Sequence, residues 1–250
     1  MQPTETRLLL NEKGIKRIQF IVGDLLYVVR AVNNKHFVVL SAIESQQAAA
    51  TEDTTAAIEQ LLDYVATYPN DGILFRKSDM ILAAHADAGF INESRSRSRS
   101  GAHIFLSENE PKPKLNGPVF KIIQIIKTVI ASAAEVEMAA LTITAKKMIP
   151  LRHTLIKMGW TQPQTPIQTD NSISVEFTNK TIVNKATKLE DMKLWWLRDI
   201  ESQEQFRYIG RQGLKMKEIT AQSIILQFIM KQREKIHTWS NFPFLHILST

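Results

Sequence analysis

The sequence predicts a mixed α/β sheet flanked by helices, preceded by a small helical module. Three observations predict it. The run MILAAHADAGFINESRSRSRSGAHIFL, from Met80 to Leu106, reads as strand, turn, strand. FKIIQIIKTVI, within Pro118 to Ile130, is rich in β-branched residues and reads as a third strand. After it come a helix over Ser132 to Met148, a short strand at Thr165 to Thr169, a helix over Leu189 to Gln203 and a last strand at Phe206 to Ile209.

Composition bounds the function. The chain has 250 residues, 44% hydrophobic and 22% charged, an ordinary globular balance. Its net charge of +6 favours acidic partners such as nucleic acid. There are no cysteines, which excludes a disulfide-linked partner and cysteine-ligated zinc and suits a reducing, intracellular compartment, cytoplasmic or nuclear. No apolar run reaches the ~18 residues of a membrane span, so no membrane partner is expected. The N-terminus, MQPTETRLLLNEKG, lacks a signal-peptide core.

Residues 1–72 read as the helical module. Ile18, Ile21, Val22, Leu25, Leu26 and Val29 recur at helical spacing within Ile15 to Val32. Phe37 to Ala50 and Thr54 to Tyr68 give two more helices. Thr51, Asp53 and Thr54 offer capping oxygens to the third, and Pro69-Asn70-Asp71-Gly72 closes it. Nothing here looks catalytic. Residues 77–209 form the second domain and 210–250 a divergent tail.

Three carboxylates in the second domain carry the chemistry. Asp87 sits in an apolar strand and shares a face with His85, since side chains alternate. A buried carboxylate needs pairing, hydrogen bonds or metal; the alternative is a strand-end residue facing water or capping a turn. Glu135 and Glu137 lie about 200° apart on the helix. Glu137 falls with Ala133, Ala134, Ala140, Leu141 and Met148 on the inward stripe. Glu135 falls with Ala131, Thr142 and Lys146 on the polar side. A stripe-edge glutamate that snorkels to water is the blander account. Pro150 is expected to break this helix and start another that ends at Gly159. Asp170, with Asn171 and Ser172, follows a strand at the entrance to a helix through Phe177, where capping alone would explain it. In the following helix Leu194, Trp195, Leu197 and Ile200 are core candidates. Strand ends and an inward helix face can converge. Converging carboxylates without a cysteine or histidine cluster suit hard cations, Mg2+ or Mn2+, as metal ligands. Two such ions ~4 Å apart clamp the attacking and leaving oxygens of a phosphodiester.

The order strand–strand–strand–helix–strand–helix is that of the ribonuclease H fold. AHADAGF, then SRSRSGAHIFL, SAAEVEMAALTITAKK and PIQTDNS resemble the ribonuclease H domain that ends the polyprotein of copia-type retrotransposons. ATKLEDMKLWWLRD is similar to the helix that follows there. IKRIQFIVGDLLYVVRAV and LLDYVATYP resemble the segment connecting reverse transcriptase to ribonuclease H. The resemblance covers roughly residues 10 to 208, with four motifs in the right order. It implies metal-dependent hydrolysis of RNA in RNA·DNA hybrids. It places the family's acidic residues on Asp87, Glu137 and Asp170, in agreement with the helical-face choice of Glu137.

The departures are also informative. No polymerase motif of the YVDD type occurs, and integrase and protease regions have no counterpart. The family expects a last strand and then a helix with a fourth aspartate, in a stretch like GDYSTKHHPPIYHEA. This chain reads KEITAQSIILQFIMKQ from Lys217 to Gln232. Read one frame over, Met216-Lys217 and Met230-Lys231 both give Glu where the family has it, which suggests a frame slip near Tyr208 to Gly210. The fourth aspartate would fall at Glu218–Ile219, leaving Glu218 as an accidental substitute. Activity would then be weakened or lost. An inactive remnant that still binds nucleic acid is the alternative.

Ser94 to Ser100 stands apart as three Ser-Arg dipeptides. It reads as an Arg-Ser-Gly turn in which Arg95, Arg97 and Arg99 contact nucleic-acid phosphates. As an RS-type segment it would instead make the chain a protein-interaction module.

Overall fold

A computed structural model gives the fold and describes residues 8–70, 72–93, 96–128, 130, 132–169 and 188–210. These fall into two compact units. In the first, α1 (Glu12–Ala31), α2 (Phe37–Glu44) and α3 (Glu52–Thr67) share a core of Ile18, Val22, Val29, Leu40, Ile43, Ile58 and Leu61. Thr51 and Thr54 form a reciprocal capping box at the start of α3. α2 stops six residues before the expected Ala50. The Ser45 hydroxyl donates back to the Ala42 carbonyl at 2.7 Å, and a 3-10 turn over Gln47–Ala49 follows.

The second unit is built on a five-stranded sheet of order β3-β2-β1-β4-β5. Its strands are β1 (Ile81–Glu93), β2 (Arg97–Ser107), β3 (Pro118–Ile125), β4 (Thr165–Thr169) and β5 (Phe206–Gly210). β1 pairs antiparallel with β2 and β2 with β3, whereas β1–β4 and β4–β5 are parallel. This is the ribonuclease H-like mixed sheet. β4 has the predicted bounds. β1 and β2 run further into the hairpin than expected, so Arg97 to Ser100 are strand rather than turn.

α4 (Ala133–Lys157) packs on the face of the sheet that carries Leu82, Ala84, Ala86, Ala102, Ile104 and Ile122. It is one helix of 25 residues, not two broken at Pro150. Proline removes the bond to the carbonyl of residue 146, but Pro150 and Lys146 are both exposed, so water can satisfy that oxygen. The helix ends at Lys157, two residues before the expected Gly159, which closes it from beyond the cap. There the amides of Gly159 and Trp160 donate to Ile156 and Leu155 at 3.0 Å each, a Schellman closure, with Gly159 at φ 91°. The buried arc is wider than one stripe. Thr142, expected on the polar side, is buried because its hydroxyl donates to the Met138 carbonyl at 2.8 Å; Ala133, expected inside, is exposed.

α5 (Lys188–Ser202) buries Leu194, Leu197 and Ile200 against α4 and the sheet. Trp195, expected in the core, is 63% exposed. It lies about 160° from the direction of those three residues. Trp196 is the tryptophan packed on the core. Among the described residues no helix is long and apolar enough to cross a membrane.

Two polar side chains lock one end of the sheet. Arg152 donates to the carbonyls of Pro163 and Gln162 at 2.6 and 2.8 Å and to the Thr165 hydroxyl at 2.9 Å. Gln162 accepts from the Leu82 amide and donates to the Met80 carbonyl, both at 2.9 Å, so its amide stands in for a strand partner at the start of β1. Gln162→Leu should therefore strand two backbone groups and destabilise the unit by ~1–3 kcal/mol, measured by urea unfolding.

Candidate active site

Asp87 lies in β1 directly opposite Gly101 of β2. The neighbour across the ladder thus contributes no side chain to the face Asp87 occupies. An ideal Cβ on Gly101 would make ordinary contact, at 3.9 Å, with the Asp87 and Ile122 carbonyls. Asp87 is half-buried, and its Oδ1 accepts the Ala88 amide at 2.8 Å. Two residues earlier His85 is 5% exposed, edge-on to Phe105 with ring centroids 5.2 Å apart.

Glu137 is buried at 9% exposure in the second turn of α4, whereas Glu135 is half-buried in the first. Ser132 caps the helix, its hydroxyl accepting the Glu135 amide at 3.3 Å. One apolar cluster joins the helix start to the strand. Val136, beside Glu137, packs with Ala139, Ile126 and Ala88, and Ala88 is beside Asp87. The two carboxylates are therefore carried to the same end of the sheet, with Asp87 on the face of β1 opposite the one that α4 covers, since side chains alternate. β4 runs parallel to β1 with Ala84 level with Ile167 and His85 level with Gln168, so its C-terminal residue, Thr169, is at that end too. Asp170 lies outside the described residues, as do Asn171, Ser172, Arg95 and the tail from 211 with Glu218. Among the described residues no three histidines, cysteines or carboxylates cluster as a metal site. The described pair is an all-oxygen donor set of the kind that fits a hard divalent cation.

Arg97 and Arg99 lie in strand rather than in a turn. Arg97 is half-buried opposite Glu93. Arg99 is 6% exposed, opposite Gly89 and Ile125, so its guanidinium is not presented to a duplex backbone. Ser98 and Ser100 are buried as well, which takes this part of the Ser-Arg run away from any partner that would read it as an exposed peptide.

The motifs also gave no warning of the end of β1. Between the pairs Gly89↔Arg99 and Glu93↔Arg97, three residues of β1 oppose only Ser98. Ile91 there holds φ 50°, a left-handed backbone that costs a β-branched residue ~1–3 kcal/mol. Its amide donates to the Ser98 hydroxyl at 3.1 Å. The apolar pair Phe90-Ile91 next to Gly89, at the polar end of a strand, was the available signal.

No family model matches the chain. The retrovirus-related Pol polyprotein from transposon TNT 1-94 of Nicotiana tabacum is 24% identical over 153 residues, which are 61% of this chain and 11% of that polyprotein. The chain thus spans about a tenth of that relative. The chain is also similar to solved structures. LC11-RNase H1, isolated from compost by a metagenomic approach, gives a TM-score of 0.43 at 14% identity, over 61% of this chain and 98% of that one. A foamy viral protease-reverse transcriptase in complex with dsDNA gives 0.46 at 15% identity, over 86% and 40%. LC11-RNase H1 in complex with an RNA/DNA hybrid gives 0.38 at 10% identity, over 52% and 85%. The transposon Pol similarity agrees with the resemblance carried by the motifs.

On the same face as Asp87, His103 is held neutral. Burial is the main cause, a hydrogen bond from Nε2 to the Asn116 carbonyl at 2.9 Å opposes it, and nearby Lys121 adds to it, bringing the pKa from 6.5 down to about 4. The unfolded chain takes up this proton below pH 6.5 and the folded chain only below about 4. Stability is therefore lost as pH falls through that window, by at most ~3 kcal/mol. His103→Gln keeps an N–H for Asn116 without the proton. Its stability relative to wild type should rise from pH 7 to pH 4 in urea titrations.

Proposed function

We propose that this chain is a ribonuclease H-type nuclease, with residues 77–209 as the catalytic domain and residues 1–72 as a helical adjunct. Asp87, Glu137 and Asp170 would act together on the RNA strand of an RNA·DNA hybrid. The observation that carries this is the burial of Glu137 in a helix start that packs, through Val136, on the strand residue next to Asp87. Asp170 follows Thr169 directly in the chain, and Thr169 ends the strand parallel to β1.

Asp87, Glu137 and Asp170 would hold Mg2+ or Mn2+, which when bound supplies charge neutralisation at the phosphate and an activated water. The chain's own part is positional. Gly101 sets no side chain beside Asp87, and the ladder to β2 fixes the carboxylate's backbone. Arg97, with Arg95, would steer the polyanion, and the net charge of +6 supports salt-dependent binding.

One observation favours a second reading, a fold that binds nucleic acid without cleaving it. The segment Lys217 to Gln232 contains no aspartate to serve as a fourth ligand.

The test is cleavage of a labelled RNA·DNA hybrid with Mg2+ or Mn2+. Asp87→Asn, Glu137→Gln and Asp170→Asn should each lower the rate about 100-fold or more, because members of a constellation fail together. Glu135→Gln should stay within about twofold, because Glu135 lies about 200° around the helix from Glu137. No cleavage by the wild type, with hybrid binding retained, would establish the second reading. Loss of cleavage in Glu135→Gln but not in Glu137→Gln would overturn the assignment on α4.

A further inference from the structure

The three-residue bulge at the end of β1 has no role in the chemistry above, yet it is built with care. Ser98 faces it from β2, buried at 5% exposure. The Ser98 hydroxyl takes the Ile91 amide at 3.1 Å, and the Ser98 carbonyl takes the Ile126 amide at 2.8 Å. Ile126 in turn packs with Ala88, Val136 and Ala139 at the start of α4. The bulge is thus tied to the scaffold that carries Asp87 and Glu137. Its backbone is strained at Ile91, with φ 50°. What the strain achieves is exposure: Phe90 is 40% and Ile91 48% exposed, in a strand whose preceding residues from Ile81 to Ala86 are all buried. Bulges beside active sites commonly re-aim side chains in this way.

We propose that Phe90 and Ile91 form an apolar ridge that contacts the groove of the bound duplex and helps select RNA·DNA hybrid over DNA. This rests on the nuclease reading above. Three residues of chain separate Phe90 from Asp87, which limits their distance to ~11 Å. A duplex groove is ~6–12 Å wide, so the groove beside a phosphate at Asp87 comes within reach of the ridge. A hybrid presents a wide, shallow groove whose sugar edges a low apolar ridge can meet, whereas the narrower minor groove of B-form DNA holds it off. Phe90 and Ile91 are positioning and specificity residues, since neither carries a group that can act on the phosphate.

The experiment uses the full chain without divalent cation, so that binding is read without cleavage. Labelled RNA·DNA hybrid and DNA duplex of one sequence are titrated with wild type, Phe90→Ser and Ile91→Gly. Wild type should prefer hybrid. Each variant should weaken hybrid binding about tenfold, the scale of losing one packed apolar contact, and change DNA binding by less than twofold. Ile91→Gly should keep or raise the melting temperature, because glycine takes positive φ without strain. It therefore serves as the folded variant if Phe90→Ser unfolds. Wild-type preference retained by the variants, or equal weakening for both duplexes, overturns the ridge and leaves the nuclease reading intact. A wild type that binds both duplexes equally overturns the hybrid reading, and the ridge with it.

Discussion

The constraint on which the second unit depends is the burial of β1 on both faces while both its edges are hydrogen-bonded. Only a strand of small or apolar residues can occupy that place. Ala83, Ala84 and Ala86 are at most 1% exposed, and Ala139, Ala140 and Ala145 of α4 are at most 3%. Small side chains on strand and helix let the helix lie close to the sheet. The long buried residues, Leu141, Met148, Ile104 and Ile167, then fill the space on either side of that contact. A larger residue at Ala84 or Ala86 would push on α4 along its length, and Glu137 would move with it.

Against that background a buried carboxylate is conspicuous. Desolvation disfavours an ionised glutamate in an apolar helix face, and stability alone would favour methionine or leucine there. Asp87 makes the same point more weakly, because it is half-buried and its Oδ1 accepts the Ala88 amide.

Much of this was legible in the sequence because local and tertiary preferences agree. β4 and β5 are short runs with β-branched or aromatic residues between turn signals. Gly159 stops α4 by a conformation that other residues adopt only with strain. Glu137 was separable from Glu135 because 100° per residue leaves little freedom on a helix that packs on a flat sheet. The failures have physical causes too. Pro150 breaks a helix only if its freed carbonyl has nowhere to go, and on an exposed face it has water. Trp195 looked like core by composition, but helical phase assigns the core to Leu194, Leu197 and Ile200. Thr142 is buried because a threonine hydroxyl can bond to its own helix, so polarity did not report exposure. Arg99 and Ser98 lie in a strand that the Ser-Arg repetition disguised as a turn. The bulge at Ile91 depends on a bond to Ser98, seven residues away across a hairpin, which no periodicity reveals.

The two ends of the sheet then divide the work. β1, β4 and β5 begin at one end, where Arg152, Gln162 and Thr165 hold the chain with side-chain bonds and the Thr165 amide donates to the Gln205 carbonyl at 2.9 Å. They finish at the other end, beside Asp87 and the start of α4. There the chain keeps its unfavourable features: an aspartate beside a glycine, a buried glutamate, and an isoleucine at positive φ. The positive φ of Ile91 is destabilising by itself, and it is tolerated because the clamped end and the alanine contact already specify the fold. The strained isoleucine and the buried glutamate thus lie at the end of the sheet away from the side-chain clamp, where the alanine contact still holds strand and helix together.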